Sequence, residues 1–181
     1  MRKFFAMMMA LAMLFSFAAC GSKTAEPTTA PTEAAAKVEG TMEELLNKVV
    51  EINPVEFMGG TVPIDLTDTS EDGLWNIKYN TGLDSAEGLT DAAMFGPMMG
   101  SMAFSMVMVR TAEGTDVKAI AEGMKNGIDP RKRICVEADD LQVVSYGDVV
   151  MLIMVDSTSG LTSQSFVDAF AQVCGGSVTT Y

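Results

Sequence analysis

Residues 149–155 read VVMLIMV, seven apolar side chains without a polar interruption. A strand with one wet face alternates apolar and polar residues, so an unbroken apolar run of this length belongs in the centre of a sheet. Gly147-Asp148 stands directly before it as a hairpin signal. The pair predicts one strand over Leu141–Tyr146 and a second over Val149–Asp156. A further strand is expected from Ser101 to Thr111. There Met102, Phe104, Met106 and Met108 alternate with Ala103, Ser105, Val107 and Val109. Both sets are largely apolar, which makes this strand central as well.

The helices announce themselves by caps and spacing. Thr41-Met42-Glu43-Glu44 is a capping box, and Met42, Leu45, Leu46, Val49 and Val50 follow at helical intervals until Asn53-Pro54. Thr115 is the expected cap of a second helix with Val117, Ile120, Ala121 and Met124 as its buried stripe and Gly127 as its terminator. Asp129-Pro130 suggests a short continuation through Arg131-Lys132-Arg133, three cations read as a solvated face with anion binding as the weaker option. Ser163 is the expected cap of the last helix, in which Phe166, Val167, Phe170, Val173 and Cys174 face the core before Gly175-Gly176. Residues 59–97 are so densely punctuated by glycine and proline that only Leu74–Tyr79 stands out, as a short strand or a helical turn. Trp75, the sole tryptophan, is expected to fill core space.

These elements define an α+β fold, one domain over residues 41–181. The expected architecture is a small mixed sheet in strand-helix-hairpin-helix order, preceded by the N-terminal helix, with helices packed on one face. A right-handed crossover through the Thr115 helix makes the Ser101 strand parallel to the Leu141 strand, with the Val149 strand between them and antiparallel to both.

The first 40 residues have a different character. Arg2 and Lys3 precede a 16-residue uncharged stretch, Phe4–Ala19, long enough for a secretory h-region and short for a spanning helix. Phe17-Ala18-Ala19-Cys20-Gly21-Ser22 then resembles the lipobox of bacterial lipoproteins, with Phe17 where leucine is usual. The resemblance implies a signal peptide over residues 1–19 and a diacylglyceryl group on Cys20, holding the protein at the extracytoplasmic face of the cell membrane. Two acyl chains anchor stably where one does not. An uncleaved membrane helix and ordinary cleavage after Ala18 are the competing readings. Residues 20–40, rich in Thr, Ala, Pro and Glu, read as a disordered tether.

Charge and composition exclude more than they assign. Without the leader, 10 basic face 24 acidic residues, a net charge of −14. That argues against nucleic acid and against anionic lipid surfaces as partners. The chain has no histidine, which removes Ser-His-Asp and Cys-His nucleophile systems, HExxH sites and most zinc sites. No Ser-x-x-Lys, Walker loop or Gly-x-Gly-x-x-Gly occurs, so no catalytic or cofactor residue is assigned. Cys135 and Cys174 are candidates either for a disulfide or for two small buried hydrophobes. Asp65, Asp68, Glu71 and Asp72 lack calcium-loop spacing and read as a solvated acidic loop. Six methionines lie between Met94 and Met108. Packing is their expected role, and Met94, Met98 and Met99 are the best Cu(I) ligands should copper bind.

The run MAFSMVMVRTAEGTDVKAIAEGM, followed by LQVVSYGDVVMLIMVD and FVDAFAQV, resembles the DUF4358 family, small Gram-positive lipoproteins that share a domain of unknown function. The likeness spans roughly residues 101–176. It implies no activity, substrate or catalytic residue. The function expected is a membrane-anchored, non-catalytic binding or accessory module with an envelope protein or glycan as partner. The alternative is an envelope hydrolase with paired carboxylates drawn from Glu137, Asp139 and Asp140.

Overall fold

Every residue of Val149–Val155 is buried, and the run is the fourth strand across a six-stranded sheet. The computed structural model describes residues 37–133 and 135–181. The expected leader, Cys20 and the tether up to residue 36 lie outside the described residues. In chain order the elements are α1 (Met42–Ile52), β1 (Gly59–Pro63), α2 (Glu71–Thr81), β2 (Leu89–Pro97), β3 (Phe104–Thr111), α3 (Val117–Gly127), β4 (Asp140–Tyr146), β5 (Val149–Val155), α4 (Ser163–Cys174) and β6 (Thr179–Thr180). The sheet order is β1-β2-β3-β5-β4-β6. The fold is α+β. No helix among the described residues is long and apolar enough to cross a membrane.

The expected strand order holds: β5 lies between β3 and β4 and is antiparallel to each, so β3 and β4 run in the same direction. Two finer expectations do not. The sheet is antiparallel at every pairing rather than mixed, because β3 and β4, which share a direction, never touch as neighbours. The helices also cover both faces rather than one. Odd-numbered residues of β5 (Val149, Met151, Ile153, Val155) pack with Phe104, Met106 and Met108 of β3 beneath α1 and α4. Even-numbered ones (Val150, Leu152, Met154) pack with Val107 and Val109 against Ile77 of α2 and Ala121 and Met124 of α3. A strand apolar on both faces needs a layer over each, and α2 with α3 supplies the second.

The first core is organised by Phe104. Its ring meets Phe57, Phe95 and Phe166 edge-on at 5.1, 5.9 and 5.3 Å, the geometry that aromatic quadrupoles favour. The ordered domain starts earlier than Thr41, because Val38 is only 8% exposed and belongs to this core. Its N–H donates to Asp148 Oδ1 at 3.1 Å. The other Asp148 oxygen pairs with Arg110 Nη1 at 2.5 Å, and Arg110 Nη2 donates to the Gly40 carbonyl at 2.7 Å. The largely enclosed pair thus straps residues 38–40 to the β4–β5 turn.

Several caps fall one residue from their expected places. The capping box at Thr41 and Glu44 is present as read. The cap of α3 is Asp116, whose carboxylate accepts from the Lys118 and Ala119 N–H groups, while Thr115 donates to the Gly88 carbonyl instead. The cap of α4 is Thr162. Ser163, fully buried, gives its N–H and hydroxyl to Asp140. Gly127 does not terminate α3 in a left-handed conformation; it lies where α3 passes the αL cap of α2, Gly82. A Cβ on Gly127 would collide with the Gly82 carbonyl oxygen. No helix continues through Asp129-Pro130: the Asp129 side chain accepts from the Arg131 N–H, and its carbonyl from the Lys132 N–H, closing a turn.

Candidate binding face around Trp75 and Arg133

Ser70 caps α2 by accepting from the Gly73 N–H, with Glu71 and Asp72 in the first turn beside the positive end of the helix dipole. The buried side of α2 is Gly73, Ile77, Asn80 and Thr81. Trp75 and Tyr79, four residues apart, fall together on a different flank. Their rings stack at 4.8 Å between centroids and 20° between planes. Trp75 is 63% exposed. This corrects its reading as core filler: the core-facing positions of this helix are taken by Ile77 and Thr81, and the indole is left on the surface.

Lys132 reaches this flank from the loop between α3 and β4. Its Nζ donates to the Tyr79 carbonyl at 3.0 Å and the Asn80 carbonyl at 3.4 Å, capping the last turn of α2. The same ammonium stands 5.0 Å from the Tyr79 ring centroid, and the Tyr79 hydroxyl donates to the Lys132 carbonyl at 3.0 Å. Burial pushes the Lys132 amine down to about 7; Arg133 adds to the fall, and Asp129 opposes it.

Arg133 turns the other way, towards the sheet. Its Nη2 lies 2.8 Å from where a Cβ on Gly96 would be, so the guanidinium rests on bare backbone. Its Nε is buried and has no hydrogen-bond partner. Met94 Cε lies 3.1 Å from the same Gly96 position and Met98 Cε 3.7 Å from the corresponding position on Gly60, the residue paired with Gly96. Met94, Met98 and Arg133 therefore gather over two facing glycines. Beside them Met58 and Met98 are 78% and 71% exposed, and Met99 and Val62 are also open to solvent.

Of the copper candidates, Met94 and Met98 converge, and the guanidinium among them opposes any added cation. Met102, Met106 and Met108 belong to the opposite face of the sheet. Among the described residues no three His, Cys, Asp or Glu side chains are grouped to hold a metal. The acidic run is bound up in turns: Asp65 accepts from Thr67, and Asp68 from Ser70, which holds both carboxyls below the usual range.

The three hydrolase candidates each have a structural partner. Asp139 accepts from the Ser157 N–H at 2.7 Å and hydroxyl at 2.6 Å, which lowers its pKa, the opposite of what a general acid requires. Asp140 holds Ser163 at the start of α4, and Glu137 pairs with Arg131 at 3.0 Å. An open cleft of about 410 Å³ between residues 83–88 and the start of α3 contains Asp84 and Glu87, with Asp84 already paired to Lys78 at 2.6 Å.

Cys135 and Cys174 are free thiols. Cys174 packs against the α1/α4 core near Tyr146 and Asp148, at the C-terminal end of β4; Cys135 precedes the N-terminal end of β4, between elements of the other core. Seven residues of strand, roughly 20 Å, and the sheet itself separate them, against the ~7 Å that a disulfide tolerates. The disulfide option is thus not realised. Burial pushes the Cys174 thiol up to about 12, with Asp148 adding to the rise.

The Trp75 face was missed in the sequence for lack of a helix to place it on. The signal was present: Ser70 followed by two acidic residues is a helix start, and it puts Trp75 and Tyr79 at neighbouring positions. No family model matches this chain, and no curated protein or solved structure matches it either.

Proposed function

We propose that the chain is a lipid-anchored, non-catalytic binding module of the cell envelope, held through Cys20 at the extracytoplasmic face and engaging an envelope protein or glycan through the face around Trp75. The observation that carries this reading is the exposed Trp75–Tyr79 stack. Phe104, Phe166 and Phe170 are wholly buried, whereas the one tryptophan stands out on a helix flank. Tryptophan, tyrosine and arginine are the side chains that dominate binding energy at protein surfaces. Met58, Met98 and Met99 are further exposed apolar side chains, and thioethers adapt to partner shape. The leader, the lipobox resemblance and the polar segment after Cys20 support the location.

A photo-crosslinking residue at position 75 tests the binding reading in cells. The expected result is a defined adduct from position 75 and none from position 48, an exposed site on α1 across the sheet. Equal adducts from both positions, or none from 75, contradict the assignment. Cys20→Ala tests the anchor: lipid labelling should disappear and the protein should leave the membrane fraction.

A further inference from the structure

We propose that β1 is an interface between two copies of this chain, paired antiparallel about a twofold axis at Gly60 so that their sheets continue into one another. The inference goes beyond the binding-module reading and does not depend on it.

The outward backbone of β1 follows from its pairing with β2. The Met98 N–H donates to the Met58 carbonyl at 3.0 Å, and the Ile64 N–H to the Ala92 carbonyl at 2.9 Å. Both bonds join directly opposed residues, since the register runs from Gly59 opposite Pro97 to Pro63 opposite Ala93. Hydrogen-bonded pairs alternate along an antiparallel ladder. Residues 58, 60, 62 and 64 therefore turn their backbone groups towards β2, and Gly59, Thr61 and Pro63 turn theirs away. Among the described residues no strand pairs with β1 on that side. Gly59 and Thr61 thus each present an N–H and a C=O with no strand to take them. The edge is also fixed in place, because the Thr61 hydroxyl donates to Asn47 Oδ1 of α1 at 2.6 Å.

Such an edge is a template for another strand, and proteins blunt theirs with charge or brevity. The opposite edge, β6, is two residues long. At β1, Phe57–Ile64 contains no charged residue in a chain of net charge −12.

The register selects a second copy as the occupant. With Gly60 opposite its own symmetry mate, Gly59 of each chain faces Thr61 of the other. The outward N–H groups of these residues then meet the outward carbonyls. A register centred on Thr61 would instead set the Gly59 carbonyl against Pro63, which has no N–H. The Gly60 register also brings Met58 of each chain directly opposite Val62 of the other, as non-hydrogen-bonded pairs, where side chains approach most closely. Met58 and Val62 lie on one face of β1 and are both exposed. Met98 covers Gly60 on that face, with Cε 3.7 Å from where a Cβ would stand. One symmetric pairing therefore satisfies the backbone and removes the exposed apolar residues from water, and a foreign strand would have to reproduce both features. Glu56 and Asp65 flank the uncharged stretch, so the approach of two acidic chains is opposed by charge and added salt should tighten it.

The test is disulfide mapping in cells with the full chain in a Cys135→Ser background, which removes the exposed thiol. The background chain should give no bridged dimer. Gly60→Cys should bridge to itself on mild oxidation, because the Cα atoms of a non-hydrogen-bonded pair stand about 4.5 Å apart, within disulfide reach. Met58→Cys and Val62→Cys should each fail to bridge alone and should bridge to one another when produced together. Sedimentation of the purified full-length protein in density-matched neutral detergent should show two chains per particle. The dissociation constant should fall as salt is raised and rise about tenfold or more in Val62→Glu and in Thr61→Pro, which deletes only an outward N–H. Failure of Gly60→Cys to bridge, or a dimer indifferent to both substitutions, overturns the proposal. A chain that stays single while position 60 bridges to a different protein overturns the second copy as occupant.

Discussion

Cys174 and Cys135 show how far the surroundings of one residue type can diverge. Cys174 belongs to the α1/α4 core, and its thiol is held up to about 12, far from the thiolate that reacts. Cys135 is exposed, in a left-handed backbone conformation with φ of 63°. In the Cys20→Ala protein, iodoacetamide at pH 8 should therefore label one cysteine in the folded state and two in urea, with mass mapping placing the first label on Cys135. Labelling of Cys174 in the folded chain would contradict its place in the core. The sequence could not separate these residues, because spacing says nothing about which side of a sheet a loop passes. Trp75 is the matching case among aromatics: composition favours a buried tryptophan, and only its position on α2 moves it outward.

At the scale of elements, the hairpin β4–β5 was legible because its signal is local. Alternation, a turn dipeptide and an unbroken apolar run all lie within 16 residues. The same seven apolar residues also contained what the one-sided helix layer overlooked. Val149, Met151 and Ile153 can be covered by α1 and α4, but Val150, Leu152 and Met154 then face nothing unless another layer exists. That layer includes α2, hidden in a segment whose glycines suggested only loop. One of those glycines, Gly82, instead ends α2 and lets it meet Gly127 of α3. Gly127→Ala removes the close approach of α3 to the end of α2 and should cost about 1–3 kcal/mol, the usual range for overpacking. Urea unfolding should show the lower midpoint, with an unchanged slope. A midpoint within error of the parent would mean that the two helices do not meet this closely. By contrast, β6, two residues long, carries no pattern that a sequence reading could detect.

For the whole molecule, Lys132 links the binding face to stability. Folding lowers its pKa from 10.5 to about 7. Between these values the unfolded chain binds more protons than the folded one, so stability rises with pH from about 7. Cys174 acts in the opposite direction above about 9, since its thiol ionises in the unfolded chain first. Asp65, Asp68 and Asp139 have lowered pKa values, and the stability they contribute is lost only as pH falls through the carboxylate range. The window from pH 7 to 9 therefore isolates Lys132. The urea midpoint of the parent protein should rise across it, while that of Lys132→Met should stay level. Parallel behaviour of the two would show that the amine is not desolvated.

The central claim is that the partner binds over Trp75. Because the chain has a single tryptophan, iodide quenching of its fluorescence reports on that face alone. In the free protein, quenching should approach that of the urea-unfolded chain, and addition of cell-envelope fragments should protect the indole. An indole shielded from iodide before any addition, or equally accessible after it, would contradict the account.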